Sequence, residues 1–248
     1  MLIPTPCSEC FLRDREIEKR EGKKFPLVML PGRMTDHGYS EVTCGEGHKT
    51  TVIYDERKFE LLFQSACHTL NAEYEREAVS GFATSLEQLY EFFIRVVCRK
   101  TKITADIFEK TWKQIARQSE RQFGCFLMLY SINSGKTFDL NQKQIEFRNR
   151  VIHQGYIPKS KEAFSFGKDA WRIKRSVYKF LERKFPKELK VEIEDELKRI
   201  EAKVPNGRTS LKFKSQVVNV DTKTNIGYEI ESFEEFLDGM KRRWEGNT

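Results

Sequence analysis

Three residues in the second half of the chain carry side chains that could together cleave a phosphodiester bond. They are Arg148, Asn149 and His153, within a run that ends at Gly155. An arginine guanidinium binds a phosphate through a rigid fork of donors, and a histidine imidazole moves a proton near neutral pH. With a polar asparagine beside them, these are the groups that RNA cleavage without a metal requires.

In this chemistry the nucleophile is the 2′-hydroxyl of the RNA, which explains why RNA and not DNA would be cut. His153 would take the proton of that hydroxyl or protonate the 5′-oxygen that leaves. Arg148 would stabilise the charge that builds in the transition state, and Asn149 would orient the phosphate or the imidazole. The products would be a 2′,3′-cyclic phosphate and a 5′-hydroxyl.

The helix expected around these residues sets a geometric condition on the motif. Asn149 and His153 are four residues apart, so they share one face of a helix. Arg148 and His153 are five apart, which is about 140° around an ideal helix and ~7.5 Å along it. A long arginine side chain and a distorted last turn narrow that separation. A two-fold dimer would bring two copies of each residue into one cleft.

A second set of residues has the types and spacing of a metal site. Cys7 and Cys10 form a Cys-x-x-Cys pair, and Cys44 and His48 form a Cys-x3-His pair with two glycines between them. Tetrahedral zinc takes four thiolate and imidazole ligands, which leave no position for a catalytic water. We therefore expect a structural Zn²⁺ in a module that resembles a zinc ribbon. His37 is an alternative fourth ligand, and the other possibility is free cysteines in a segment held by packing alone.

The positive charge of the chain is concentrated around the arginine–histidine motif. The formal net charge is +7. Between Lys143 and Lys187 thirteen Lys or Arg residues stand against four Asp or Glu, a net of +9, so the remainder sums to −2. A basic region of this kind attracts phosphate backbones, which indicates RNA as a partner. A solvated helix face is the simpler alternative.

The composition is that of a soluble, globular protein and argues against other classes. Charged residues make up 33% of the 248 residues, and no run approaches the ~20 apolar residues of a membrane span. No basic region followed by an apolar stretch marks a signal peptide, so a cytoplasmic location is expected. A disulfide scaffold is not expected. Cys67, Cys98 and Cys125 lie in apolar helical stretches and are expected to be small core residues.

Changes of pattern divide the chain into three segments. Residues 1–54 are rich in Gly, Pro and short polar stretches and form the zinc-ribbon-like module. Residues 55–187 carry apolar residues at helical spacing, and short connections between such helices favour an antiparallel bundle. Residues 188–248 are a small α+β C-terminal extension. The expected fold class is therefore mainly α.

Within these segments, local patterns predict individual elements. Short strands are expected at 27–30, 41–43 and 50–54. Pro31-Gly32 predicts a turn. Long helices are expected at about 73–100 and 160–184, and a short helix that starts near Asn141 is ended by Gly155. The extension is expected to hold a helix from Pro186, a β-hairpin within 208–230 and a short closing helix.

The stretch from Arg57 to Lys187, about half of the chain, resembles a domain of the HEPN superfamily. The run Arg148-Asn149-x-x-x-His153 is similar to the Arg-x4-6-His motif of that superfamily, in the form where a polar residue follows the arginine. The sequence segments at 59–63, 75–79 and 86–93 resemble the paired helices that precede the motif in that superfamily.

The resemblance implies a fold, an activity and partners. HEPN domains are all-α, commonly dimerise through the motif-bearing helices and often act as metal-independent endoribonucleases. Many belong to antiviral defence or toxin–antitoxin systems. The resemblance therefore implies an RNA substrate, a homodimer, an anti-phage or toxin-like role, and an inhibitor or activator protein. The catalytic role carries over to Arg148, Asn149 and His153 only.

Some members of the superfamily also use an acidic residue on an earlier helix. Glu87 and Glu91 share one helix face and are candidates, although an ion pair with Arg95 is an alternative role for them. Two other functions stay open for the whole chain. One is a non-catalytic RNA-binding protein in which His153 is incidental. The other is a protein-interaction module that docks a partner through the zinc module and the helix at 186–203.

Overall fold

The computed structural model describes residues 2–25, 28–139, 141–205, 209–213 and 232–245. The elements in chain order are β1 (Leu2–Pro6), α1 (Ser8–Glu21), β2 (Met29–Met34), β3 (Tyr39–Thr43), β4 (Lys49–Tyr54), α2 (Lys58–Asn71), α3 (Glu75–Arg99), α4 (Ala105–Ile115), α5 (Ser119–Ser134), α6 (Gln142–His153), α7 (Ser160–Lys184), α8 (Pro186–Glu201), β5 (Thr209–Phe213) and α9 (Phe233–Glu245). The prediction of a mainly α fold is confirmed. No helix in the described part of the chain is both long and apolar enough to cross a membrane.

The chain divides into two compact units. Of the described residues, those within Met1–Arg57 and Ile193–Gln216 form the first unit, and those within Lys58–Glu192 and Val217–Thr248 form the second. The sequence pattern predicted three segments, 1–54, 55–187 and a C-terminal extension at 188–248. Most of the hairpin predicted there, from residue 214 onwards, lies outside the described residues.

A small sheet forms the centre of the first unit. Its strands follow the order β1-β2-β3-β4-β5. The first four pair antiparallel, as the pairs Ile3–Gly32 and Ser40–Val52 illustrate. β5 lies parallel to β4. The sheet therefore joins the N-terminal strands to a strand from the far end of the chain.

The predicted turn at Pro31-Gly32 is wrong, because both residues lie inside β2. Pro31 pairs with Pro4 of β1, and a proline has no N–H to contribute to a strand pair. Gly32 is required by close approach, since a Cβ atom there would lie 2.1 Å from Oγ1 of Thr5. The chain reverses later, at Gly38, which has a φ of +91°.

Helix α1 follows β1 directly and was not predicted. It starts after Cys7 and ends where Gly22 adopts a left-handed φ of +68°. Its sequence is mostly charged, so the apolar periodicity that reveals an amphipathic helix is absent. The N-terminal module therefore contains a helix that was not expected, beside the predicted strands at 41–43 and 50–54, which lie in β3 and β4.

Buried aromatic residues dominate the core of the second unit. Trp171 of α7 packs against Phe236 of α9 with ring centroids 4.7 Å apart, and Phe63 of α2 lies 5.1 Å from Phe82 of α3. Gly167 is needed here, because a Cβ atom would lie 2.8 Å from Phe82 and from Phe233. Thus α9, predicted as part of an extension, completes this core.

Candidate functional site

Helix α6 carries the arginine–histidine motif and is anchored by its own apolar residues. Phe147 and Val151, four residues apart, are both buried in the core of the second unit. The helix ends at His153, where the N–H groups of Gln154 and Tyr156 donate to the carbonyl of Arg150 at 3.1 and 3.2 Å. This ending fixes His153 in the last turn of the helix.

The three predicted residues meet in one chain around the guanidinium of Arg148. Its Nη1 donates to Oδ1 of Asn149 at 3.0 Å and lies 3.4 Å from Nε2 of His153. The length of the arginine side chain thus closes the separation that an ideal helix gives. Nε2 accepts from Nη1 only in the tautomer that carries the imidazole proton on Nδ1, so the contact places the imidazole beside the guanidinium without fixing which nitrogen is protonated.

A fourth residue, Glu87 of α3, completes the cluster. Its Oε1 accepts from Nη2 of Arg148 at 2.6 Å, and the two side chains are 32% and 19% exposed. Glu91, the other acidic candidate, instead pairs with Arg95 at 3.0 Å. The sequence left the choice between these two carboxylates open, and the packing of α3 against α6 decides it. We call Glu87, Arg148, Asn149 and His153 the Arg148 cluster.

The loop that follows the motif is held by a chain of polar contacts. The guanidinium of Arg150 lies over the ring of Tyr156, 4.5 Å from its centroid. The hydroxyl of Tyr156 donates to Glu162 at 3.0 Å, and the backbone N–H of Lys159 donates to the same carboxylate at 2.8 Å. These contacts hold the loop that follows His153 against the start of α7.

The basic region around the motif is not entirely on the surface. Lys174 is only 2% exposed, and its Nζ lies 4.0 Å from the ring centroid of Phe63 and 4.8 Å from that of Trp171. Burial lowers the pKa of Lys174 to about 8. One of the thirteen basic residues therefore faces the core and cannot bind a phosphate at the surface.

The four predicted metal ligands converge in the first unit. One ligand atom from each of Cys7, Cys10, Cys44 and His48 lies within 4.8 Å of the others. Nδ1 of His48 is 3.4 Å from the sulfurs of Cys10 and Cys44 and 3.8 Å from that of Cys7. Ligand atoms around a tetrahedral zinc are separated by roughly 3.5–3.8 Å, given bonds of ~2.0–2.3 Å. The cluster therefore fits such an ion.

The surroundings of the cluster also suit a metal. Burial opposes ionisation of Cys7, yet hydrogen bonds from the Cys10 backbone and the Thr50 hydroxyl hold its pKa below the usual value. Burial and the neighbouring thiols raise the pKa of Cys10 to about 12, because thiolates so close repel one another. Nε2 of His48 contacts Glu9 at 3.4 Å, and a carboxylate in this position commonly orients a metal-binding histidine.

The remaining candidates lie elsewhere. His37, the alternative ligand, packs near Tyr39, with the two ring centroids 6.0 Å apart. It is not in the metal-ligand cluster found among the described residues. Cys67 is buried as expected, whereas Cys98 and Cys125 are partly exposed.

Comparison of the chain with protein-family models, with curated proteins and with solved structures finds no match. The resemblance to the HEPN superfamily is therefore still a prediction that rests on the motif and on the helices around it. The contacts of the Arg148 cluster and of the cysteine–histidine cluster are what support a function.

Proposed function

We propose that this protein is a metal-independent endoribonuclease that cleaves RNA by attack of the 2′-hydroxyl. The observation that carries the proposal is the Arg148 cluster, in which a guanidinium touches an imidazole, an amide and a carboxylate within one chain. Three of these groups are the ones that the chemistry requires, and the fourth orients the guanidinium.

Each member of the cluster has a distinct task in this reaction. His153 accepts the 2′-hydroxyl proton at the unprotonated nitrogen of its imidazole or, once protonated, gives a proton to the leaving 5′-oxygen. Arg148 stabilises the negative charge of the transition state. A guanidinium has five N–H donors, so the contacts with Glu87, Asn149 and His153 leave capacity for a phosphate oxygen. Glu87 holds the guanidinium in place, and Asn149 orients the phosphate.

The cysteine–histidine cluster has a separate, structural role in this proposal. We propose that Cys7, Cys10, Cys44 and His48 hold one Zn²⁺, which cross-links the start of α1 to the turn between β3 and β4. Four protein ligands leave the ion no open position, so it takes no part in catalysis. The first unit therefore depends on metal for its stability, whereas RNA cleavage does not use the metal chemically.

The wider assignments stay proposals that follow from the resemblance. They include membership of the HEPN superfamily, a homodimer formed through the motif-bearing helices, and a cytoplasmic location. They also include a role in anti-phage defence or as a toxin, with an inhibitor that restrains the protein or an activator that releases it. The two copies of the motif in a dimer would lie near each other, although Arg148 and His153 already meet within a single chain.

The test is cleavage of a mixed cellular RNA pool in EDTA by the wild type, His153→Ala and His37→Ala. His37 is an exposed histidine outside the Arg148 cluster, which makes it the matched control. We expect the wild type and the control to cut and His153→Ala to be inactive. Zinc content is measured after the reaction, so that loss of the structural ion is not taken for a catalytic metal requirement. Full activity in His153→Ala, or RNA binding without cutting by the wild type, would favour a non-catalytic RNA-binding protein.

A further inference from the structure

A cavity of about 180 Å³ opens beside the Arg148 cluster, between helices α3, α5, α6 and α7. Glu87, Arg148 and Asn149 belong to both the cavity wall and the cluster. We propose that this cavity binds one nucleobase of the RNA, next to the phosphate that is cleaved. The inference rests on the proposed function, since it names what part of the substrate the site reads.

The size and the walls of the cavity suit a flat ring. Pockets for drug-sized ligands are larger, at ~300–1,000 Å³. Much of the wall is apolar, with Leu86 of α3, Ile145 of α6 and Ile173 of α7 among its residues, and Phe123 of α5 adds an aromatic ring. The Phe123 ring is only partly buried and packs 5.2 Å from Tyr90. Unpaired bases in RNA are commonly bound by stacking on such rings.

The cavity wall includes residues whose side chains can match the edge of a base. Asn141, Gln144 and Asn149 are among the lining residues, and an amide both donates and accepts hydrogen bonds, as base edges do. Existing contacts hold two of them in place, because Asn141 donates to Asp169 at 3.1 Å and Gln144 donates to Ser165 at 3.1 Å. An RNA base therefore meets oriented polar groups.

The charges around the cavity favour an uncharged base over an anionic occupant. Glu87, Glu120 and Asp169 are among the residues that line the cavity, and their negative charges disfavour an acidic side chain or a phosphate inside it. A nucleobase is uncharged, and its own phosphate would lie outside, at the guanidinium of Arg148. One nucleotide would therefore bind at both places, with its base in the cavity and its phosphate at the guanidinium of Arg148.

The test uses a 2′-O-methyl oligonucleotide with a single unmodified ribonucleotide, which confines cleavage to one bond. Two further substrates lack the base on the ribonucleotide or on the nucleotide that follows it. Stacking of a base on an aromatic side chain is worth ~1–3 kcal/mol. We therefore expect the wild type to cut one of the two abasic substrates about tenfold or more slowly than the intact one.

Variants connect that loss to the cavity. In Phe123→Ala the intact substrate is cut slowly and removal of the base causes no further loss. Gln144 also lines the cavity and is only partly buried, so Gln144→Ala tests the same cavity without disturbing the core. We expect this variant to discriminate less well among the four bases. Met128→Ala is the control, because Met128 lies on the same helix as Phe123, is 64% exposed and is outside the cavity wall. It should keep the wild-type ratio.

The outcomes distinguish this inference from the proposed function. If the wild type cuts the intact and both abasic substrates equally while His153→Ala is inactive, the cavity does not bind a base and the nuclease stands. If the wild type cuts nothing, the proposed function fails, and binding of a fully 2′-O-methylated oligonucleotide decides the inference. Tighter binding of the intact than of the abasic form supports it. Equal binding of the two forms overturns it. The inference also fails if free nucleoside monophosphates bind while the intact and abasic oligonucleotides bind equally well.

Discussion

Nη2 of Arg148 on α6 donates to Oε1 of Glu87 on α3 at 2.6 Å, between residues 61 positions apart in the sequence. The contact fixes the plane of the guanidinium, and therefore the direction in which its other N–H groups point. Because Nη1 faces Asn149 and His153, the carboxylate on one helix positions the proposed chemistry on another.

Glu87→Gln should weaken cleavage while leaving the fold intact. The amide keeps the size of the side chain but loses the charge that holds Arg148, so the guanidinium is less well oriented. Loss of a hydrogen-bond partner that orients a metal-binding residue typically costs ~10–100-fold in activity, and by analogy we expect a loss of that order in the cleavage rate.

The matched control is Glu91→Gln, one helical turn further along α3. Glu91 pairs with Arg95 at 3.0 Å and is not in the Arg148 cluster, so its loss should leave cleavage unchanged. Rates for both variants are measured on one RNA, with thermal unfolding to verify folding. Equal rates in Glu87→Gln and the wild type would show that the ion pair is structural only.

Periodicity was sufficient to predict the long helices. α7 spans Ser160–Lys184, as its apolar spacing predicted, and α3 spans Glu75–Arg99 against a predicted range of 73–100. α7 buries one apolar stripe, and the buried residues of α3 include positions three and four apart along its length, which is the spacing that periodicity detects. α1 escaped prediction because its residues are mostly charged and its mean hydropathy is low.

The candidate site was predictable in its residues but not in all of its contacts. The motif identified Arg148, Asn149 and His153 from their types and spacing. Which of two carboxylates meets Arg148 depends on how α3 packs against α6, and both Glu87 and Glu91 satisfy the sequence pattern equally. The metal ligands were easier to predict, because the short spacing within each pair already brings the two side chains together.

Cys44→Ser should release zinc and destabilise the protein. A hydroxyl replaces one of four ligands, and structural zinc in small domains contributes an apparent ~10–16 kcal/mol at neutral pH. We expect one zinc per chain in the wild type and a large loss in the variant, measured by elemental analysis. Cys125→Ser, a partly exposed cysteine outside the cluster, should keep its zinc. Equal metal content in the wild type and Cys44→Ser would exclude a zinc site here.

Lys174 should make stability rise with pH in the mildly alkaline range. Burial lowers its folded-state pKa to about 8, whereas an unfolded lysine titrates near ~10.4. Between these values the unfolded chain binds more protons than the folded one, so the Lys174 contribution to the free energy of unfolding increases with pH. Below pH 8 that increase is absent.

The difference between the wild type and Lys174→Met isolates this effect. Burial raises the pKa values of Cys67 and Tyr90, and these groups lower stability as pH rises, so the wild type alone is not informative. The free energy of unfolding in urea, measured at pH 7.5 and 9.5, should shift in favour of the wild type relative to the variant at the higher pH. A difference that does not change with pH would contradict the burial of a titrating lysine.

The measurement that tests the central claim most directly is the chemistry of the cut ends. An RNA oligonucleotide is cleaved by the wild type, and its products are identified by mass spectrometry beside those of an oligonucleotide with one 2′-deoxynucleotide at the mapped cleavage position. Cleavage through the 2′-hydroxyl, with His153 and Arg148 as the catalytic residues, predicts a 2′,3′-cyclic phosphate, a 5′-hydroxyl and no cut at the deoxy position. A 5′-phosphate, or cleavage at the deoxy position, would contradict it.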